Sequence, residues 1–247
     1  MSAMTLEPTQ STANNTQNNR EILRQLEQEQ ALVEASCYGV SGAMASGVGF
    51  ILPWLTLGSL PALHVLLNRL KKLGQLIRVV TAIVNAFETE GVEIFPRLEA
   101  PGYQPIDLFI RFPDKEFLLI SIRSFSSSTI VYNEKLEALQ IRRRGRKGLY
   151  IWRPDPLTEL SEQEQVLRKT RRDLFGGSSR DSRRPLGKVL VMSEGTNVDE
   201  HSAHLYRSVE TQKWLTVKKR GTTTVVKEDQ ITAFIRTYLI EQKANKA

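Results

Sequence analysis

The stretch PIDLFIRFPDKEFLLISIR, residues 105–123, decides how this chain is read. Ile106–Phe112 and Phe117–Arg123 are runs of β-branched, aromatic and leucine side chains separated by the turn sequence Pro113-Asp114-Lys115. They predict an antiparallel hairpin. Along the second strand, alternation sends Leu118, Ile120 and Ile122 to one face and Leu119, Ser121 and Arg123 to the other. A single acidic residue, Asp107, stands at the start of the first strand.

Upstream, Leu70–Phe87 carries Leu73, Leu76, Ile77, Val80, Val84 and Phe87 at helical spacing, with Gly91 as C-cap. Val92–Pro96 reads as a first strand. Downstream, Ser124–Ser128 reads as a polar loop, about Val131–Arg144 as a helix and Leu149–Trp152 as a strand. A helix over Glu159–Leu174 and a strand over Lys188–Met192 follow. The tail predicts a hairpin around Gly221 and a helix from about Glu228 that turns Ile231, Phe234, Ile235, Tyr238 and Leu239 inward. Helix, three strands, helix and strand in that order make an α/β or α+β pattern.

With Asp107 on its second strand, this order resembles the restriction-endonuclease-like superfamily, the PD-(D/E)xK nucleases, over about residues 76–153. The resemblance implies a mixed sheet flanked by helices. It also implies a site at one sheet edge where two carboxylates hold a divalent ion and a lysine positions the attacking water. Pro105-Ile106-Asp107 matches the first motif. Ser121-Ile122-Arg123 falls where the second belongs, with serine in place of the acid and arginine in place of lysine. A hydroxyl is a weak neutral ligand, and a guanidinium stays charged with no basic lone pair. Mg²⁺ sites need hard anionic oxygens. The expectation is therefore a vestigial site at Asp107, Ser121 and Arg123, without a cofactor, in which Arg123 pairs with Asp107. The enzymatic alternative is a Mg²⁺-dependent nuclease that recruits Glu88 or Glu90 from the end of the preceding helix.

The chain has 247 residues and a formal charge of +7, with one cysteine and three histidines. No internal disulfide and no zinc site of thiolates and imidazoles follow from that count. His201 and His204 lie three residues apart without a third ligand and read as surface residues. Residues 1–19 are polar enough to predict disorder, and Asn19 is a candidate cap for a helix from Arg20 to about Ala35. That helix would carry a stripe of Ile22, Leu23, Leu26, Leu32 and Val33.

From Ala35 to Asn68 no side chain has a fixed charge, and small residues fill the first half. Such a run predicts a membrane segment or a hydrophobic helical hairpin turning near Pro53, with a buried core segment or an oligomer contact as the alternative. Arg69, Lys71, Lys72 and Arg78 place its flank on the cytoplasmic face. No secretory signal is visible at the N-terminus. The chain thus divides into a tail at 1–19, a helix plus hydrophobic segment at 20–75 and a nuclease-like α/β domain at 76–247.

Two basic clusters suit phosphate contacts: Arg142, Arg143, Arg144, Arg146 and Lys147, then Arg168, Arg171 and Arg172 with further cations to Arg184. A glycine–serine run at 176–179 suggests a mobile loop beside the second. Nucleic acid is the expected partner, against a solvated basic face or contact with anionic lipid. The leading expectation is a membrane-associated, non-catalytic, nucleic-acid-binding domain, with a membrane-bound scaffold for an unnamed protein as a further alternative.

Overall fold

In the computed structural model, which describes residues 7–45, 53–176, 178, 180–209 and 212–244, Phe117–Arg123 is a strand over the whole expected range. It is β3 of a seven-stranded sheet with the order β1-β2-β3-β7-β11-β10-β9. The other members are β1 (Glu93–Leu98), β2 (Ile106–Arg111), β7 (Leu186–Met192), β9 (Tyr206–Val209), β10 (Gln212–Lys218) and β11 (Thr222–Lys227). β2 and β3 form the expected antiparallel hairpin, with Leu108 opposite Ile120 and Arg111 opposite Phe117. On its other side β3 runs parallel to β7, and β7 parallel to β11. Parallel strands inside a sheet are covered on both faces, and all of β3 except Arg123 is buried.

The cover differs on the two faces. On one, α2 (Pro53–Phe87) and α4 (Ile231–Ala244) bring Leu73, Ile83, Phe87 and Ile235 against Leu118, Ile120 and Val189. The five α4 residues expected to point inward are all buried. On the other, α3 (Pro156–Thr170) packs Leu157 and Leu160 toward Phe109, Leu119 and Leu190, together with a second sheet. The architecture is α/β, a mixed sheet flanked by helices. α4 approaches β7 at Gly187, where a Cβ would lie 2.7 Å from Leu118 and 3.1 Å from Tyr238, so a larger residue there would have to displace the Leu118 side chain.

The second sheet has the order β6-β5-β4-β8 and contains β4 (Ser128–Asn133), β5 (Ala138–Arg143), β6 (Tyr150–Ile151) and β8 (Thr196–Val198). It overturns the helix expected over about Val131–Arg144. Glu134–Leu139 is rich in helix formers, but β4 alternates buried and half-buried positions with a period of two, and Thr129–Tyr132 favours strand. The glutamates and lysine at 134–137 make the turn between β4 and β5.

α1 (Glu7–Ala45) corrects the reading of the N-terminus. Residues 7–19 are helical, and Asn19 lies inside the helix rather than capping it. Only 2% exposed, Asn19 donates to the Val92 carbonyl at 2.7 Å and accepts from the Ile94 amide at 3.3 Å. Thr16 donates to the Glu88 carbonyl at 2.9 Å, and Asn15 to that of Gly91 at 3.2 Å. The polar composition that suggests disorder instead satisfies backbone groups where α2 gives way to β1. α1 lies antiparallel to α2: Arg20 pairs with Glu88, and Glu29 with Arg69 at 2.6 Å. Leu26, Val33 and Cys37 are buried, whereas Leu32 of the expected stripe is exposed.

Among the described residues no helix is long and apolar enough to cross a membrane, so the spanning segment expected at Ala35–Asn68 finds no support there. The stretch is shared between the end of α1 and the start of α2, which opens at Pro53, where the turn is expected; residues 46–52 lie outside the described residues. α2 passes residue 75 unbroken, so the hydrophobic segment enters the sheet domain as one helix instead of meeting it at a boundary.

Replacing Asn19 by Ala should lower unfolding free energy by about 1–3 kcal/mol, because two buried backbone groups lose their partner. Urea denaturation measures this. A change below about 0.5 kcal/mol, the usual range for surface substitutions, would show that the amide does not hold α1 to the sheet.

Candidate functional site

Asp107 and Ser121 form the next cross-strand pair beyond Leu108 and Ile120, at the end of β3 where Arg123 stands. The alternation holds: Asp107, Ser121 and Arg123 share the sheet face covered by α3. One carboxylate oxygen of Asp107, Oδ2, accepts from the Ile122 amide at 2.7 Å and the Ser121 hydroxyl at 3.3 Å. It also accepts from the Arg123 guanidinium at 2.6 Å. The other arm of Arg123 reaches Glu159 Oε2 at 3.1 Å. The ion pair expected between Arg123 and Asp107 is present, and α3 adds a second carboxylate to it.

Glu159 reaches the site because Asp155 caps α3, accepting from the Leu157 amide at 3.0 Å, with Pro156 opening the helix. The first turn is thereby set against the end of β3. Two acids do converge here, but a guanidinium lies between them. Monovalent, bulky and planar, it satisfies both carboxylates through hydrogen bonds and repels a divalent ion.

Glu88 and Glu90 do not supply the missing acid. They lie in a single 3₁₀ turn leading into β1, whose first residue, Glu93, faces Arg111. Asp107 is four residues from Arg111 along β2, about 13 Å at strand rise. The Glu88 carboxylate is held by Arg20. Among the described residues no group of three or more His, Cys, Asp or Glu is disposed to hold a metal ion. His201 accepts from the Tyr132 amide at 2.7 Å and His204 pairs with Glu134 at 2.8 Å, so the histidines serve the second sheet.

The two arginine clusters lie at opposite ends of β3. The first is at the Arg123 end: the Arg144 amide donates to the Ser127 carbonyl, and Arg143 faces Ser128 across the β4–β5 ladder. The second is at the Phe117 end, where Arg111 donates to the Leu174 carbonyl and Lys115 pairs with Asp181 at 2.8 Å. The length of β3, about 20 Å, separates them.

They also differ in how their charges are used. Arg168 binds Glu164 and the Arg184 carbonyl and lies over the Phe175 ring at 5.0 Å. Arg171 pairs with Asp173, and Arg184 with Asp181. The Lys115 ammonium, with Ser178 and Arg184, holds the Asp181 carboxyl at about 2. Much of this cluster is internal bracing, with Arg172 left exposed; Gly177 and Ser179 of the glycine–serine run lie outside the described residues. In the first cluster Arg142 pairs with Asp199 at 2.9 Å. Arg143, Arg144 and Arg146 have no ion-pair partner among the described residues, and they line a cleft of about 410 Å³ with Ser124, Phe125, Ser126, Ser127 and Ser128. The Ser124 hydroxyl is buried in its wall without a hydrogen-bond partner, and Lys71 donates to Ser126 at 2.7 Å.

The part that the serine loop plays in the cleft, the contact of Glu159 with Arg123 and the burial of Lys188 escape a reading of sequence alone. Lys188 is enclosed by the Ser161 hydroxyl and the Arg220 carbonyl, each at 3.0 Å, and by Glu164 at 3.3 Å. It is a structural cation with its donors engaged. The chain matches no family model, no curated protein and no solved structure.

Arg123→Ala should cost more stability than Asp107→Ala, about 2 kcal/mol against about 1, since it strands two half-buried carboxylates and unties α3 from β3. Thermal denaturation of both variants tests the order. Equal losses would mean that the Glu159 arm contributes nothing.

Proposed function

We propose that this chain is a degenerate restriction-endonuclease-like domain that binds nucleic acid without cutting it and associates with a membrane surface. The observation that carries the reading is the contrast in how charge is used at one end of β3. Arg123 bridges Asp107 and Glu159, where the resemblance would put a metal ion. Beyond it, three guanidiniums without ion-pair partners among the described residues share a polar cleft. Free cations at this density suit phosphates, whose binding releases counterions and depends on salt.

Membrane association is supported by the far end of the α1–α2 pair. Tyr38, Leu60, Val65 and Leu67 are exposed there, and Val65 and Leu67 are close in sequence to Arg69, Lys71 and Lys72. Apolar side chains beside basic ones suit a surface of anionic lipid.

Purified protein with Mg²⁺ or Mn²⁺ should leave DNA and RNA intact while binding them. Replacing Arg143, Arg144 and Arg146 by Ala should weaken binding and reduce the slope against salt by roughly 0.7–0.9 for each phosphate no longer neutralised. An unchanged slope would remove these residues from the interface, and cleavage that disappears in Asp107→Ala would restore the catalytic alternative. Separately, the full chain should pellet with anionic vesicles, and Leu60→Glu with Val65→Glu should release it. Absence of wild-type pelleting would end the membrane reading.

A further inference from the structure

Beside the cleft, the chain leaves apolar surface uncovered on the edge of the second sheet. Leu149, Tyr150 and Ile151 are 44%, 48% and 45% exposed, although Tyr150 and Ile151 form β6. Tyr150 pairs with Ile141 on β5, so it projects from the same sheet face as Ile141 and, two residues on, Arg143. Such diagonal neighbours lie roughly 7–8 Å apart. An exposed phenol ring therefore stands on the strand next to Arg143, one of the three arginines that line the cleft. Trp152, in contrast, is buried, edge-on to Phe125 at 4.6 Å, and Trp214 packs in the opposite core against Phe234. Phe125 lines the cleft with its ring held against Trp152, and Tyr150, on the neighbouring edge strand, is exposed.

We infer that the ligand is single-stranded nucleic acid, with Arg143, Arg144 and Arg146 and the serine hydroxyls receiving backbone phosphates while Tyr150 stacks on a base. The inference rests on the nucleic-acid reading above and specifies the substrate class of that cleft. A ring beside a backbone track is useful for stacking only if bases are free to leave their partners. In a duplex the π-faces are already stacked inside the helix, and a side chain reaches only base edges. Single strands offer those faces, and base–aromatic stacking beside a basic groove is the general mode of binding them. The cleft volume of about 410 Å³ also lies in the range of small-molecule pockets, a scale that suits an unstacked nucleotide.

The test uses the full chain, a labelled oligothymidylate and a labelled duplex of matching length, with affinities read by fluorescence anisotropy. Tyr150→Ala should weaken oligothymidylate binding about tenfold and leave duplex binding unchanged, and Tyr150→Trp should retain the wild-type affinity for the single strand. A melting temperature equal to wild type for both variants establishes that the fold is kept, and Tyr150→Trp carries the comparison if the alanine variant is unstable. If Tyr150→Ala affects neither probe, or both equally, or if Tyr150→Trp behaves like Ala, the single-strand inference is overturned while nucleic-acid binding stands. If the wild-type chain binds neither probe at low salt, the nucleic-acid reading itself falls, and this inference with it.

Discussion

Burial of β3 on both faces is the constraint from which the rest of the structure follows. β3 has β2 and β7 along its edges and apolar side chains on both faces that are buried, so both faces need cover. α2 and α4 supply it on one face, α3 and the second sheet on the other. Any charged group on such a strand must find its counter-charge within the protein, since desolvation without pairing is costly. Arg123 meets that condition by bridging Asp107 on β2 and Glu159 on α3. One guanidinium thus joins two neighbouring strands to the helix that covers them.

The same need for internal partners explains why the two basic clusters are not equivalent. Between Arg168 and Arg184 the chain has little regular structure: the end of α3, then two short 3₁₀ turns. Ion pairs and a ring contact brace that irregular segment where ladders of hydrogen bonds cannot. The β5 end needs no such bracing, because β4 and β5 pair along their full length. Its arginines beyond the ladder keep their charge uncompensated by the fold. Geometry, more than the number of cations in either run, separates the cluster that supports the fold from the one open to a ligand.

Much of the central sheet was legible in the chain itself. The β2–β3 hairpin, the inward face of α4 and the pairing of Arg123 with Asp107 all follow from alternation, turn chemistry and charge. These signals are local, or act across one tight turn. What escaped depends on distant partners. Asn19 reads as a cap until Val92 and Ile94, more than seventy residues away, are seen to need its amide. The β4–β5 hairpin was hidden because glutamate, lysine and leucine at its turn mimic a helix, and tertiary burial of Ile130 and Tyr132 overrode that propensity. Glu159 gave no sign of its role, since nothing in the sequence of α3 says which strand end its first turn will face. Tyr150 was inconspicuous for the opposite reason: its importance lies in what fails to cover it.

The ion triad has an electrostatic consequence for its neighbourhood. Two carboxylates and one guanidinium leave Asp107, Glu159 and Arg123 with a formal surplus of one negative charge, whereas Arg143, Arg144 and Arg146 contribute three positive charges to the cleft that opens after Ser124. The sign of the local charge thus reverses between the triad and the cleft, and salt screens such fields beyond about 8 Å at physiological strength. A polyanion guided by that field is drawn toward the serine loop and turned away from the pair of acids. Along the chain only the step from Arg123 to Ser124 separates the acid-rich triad from the lining of the basic cleft.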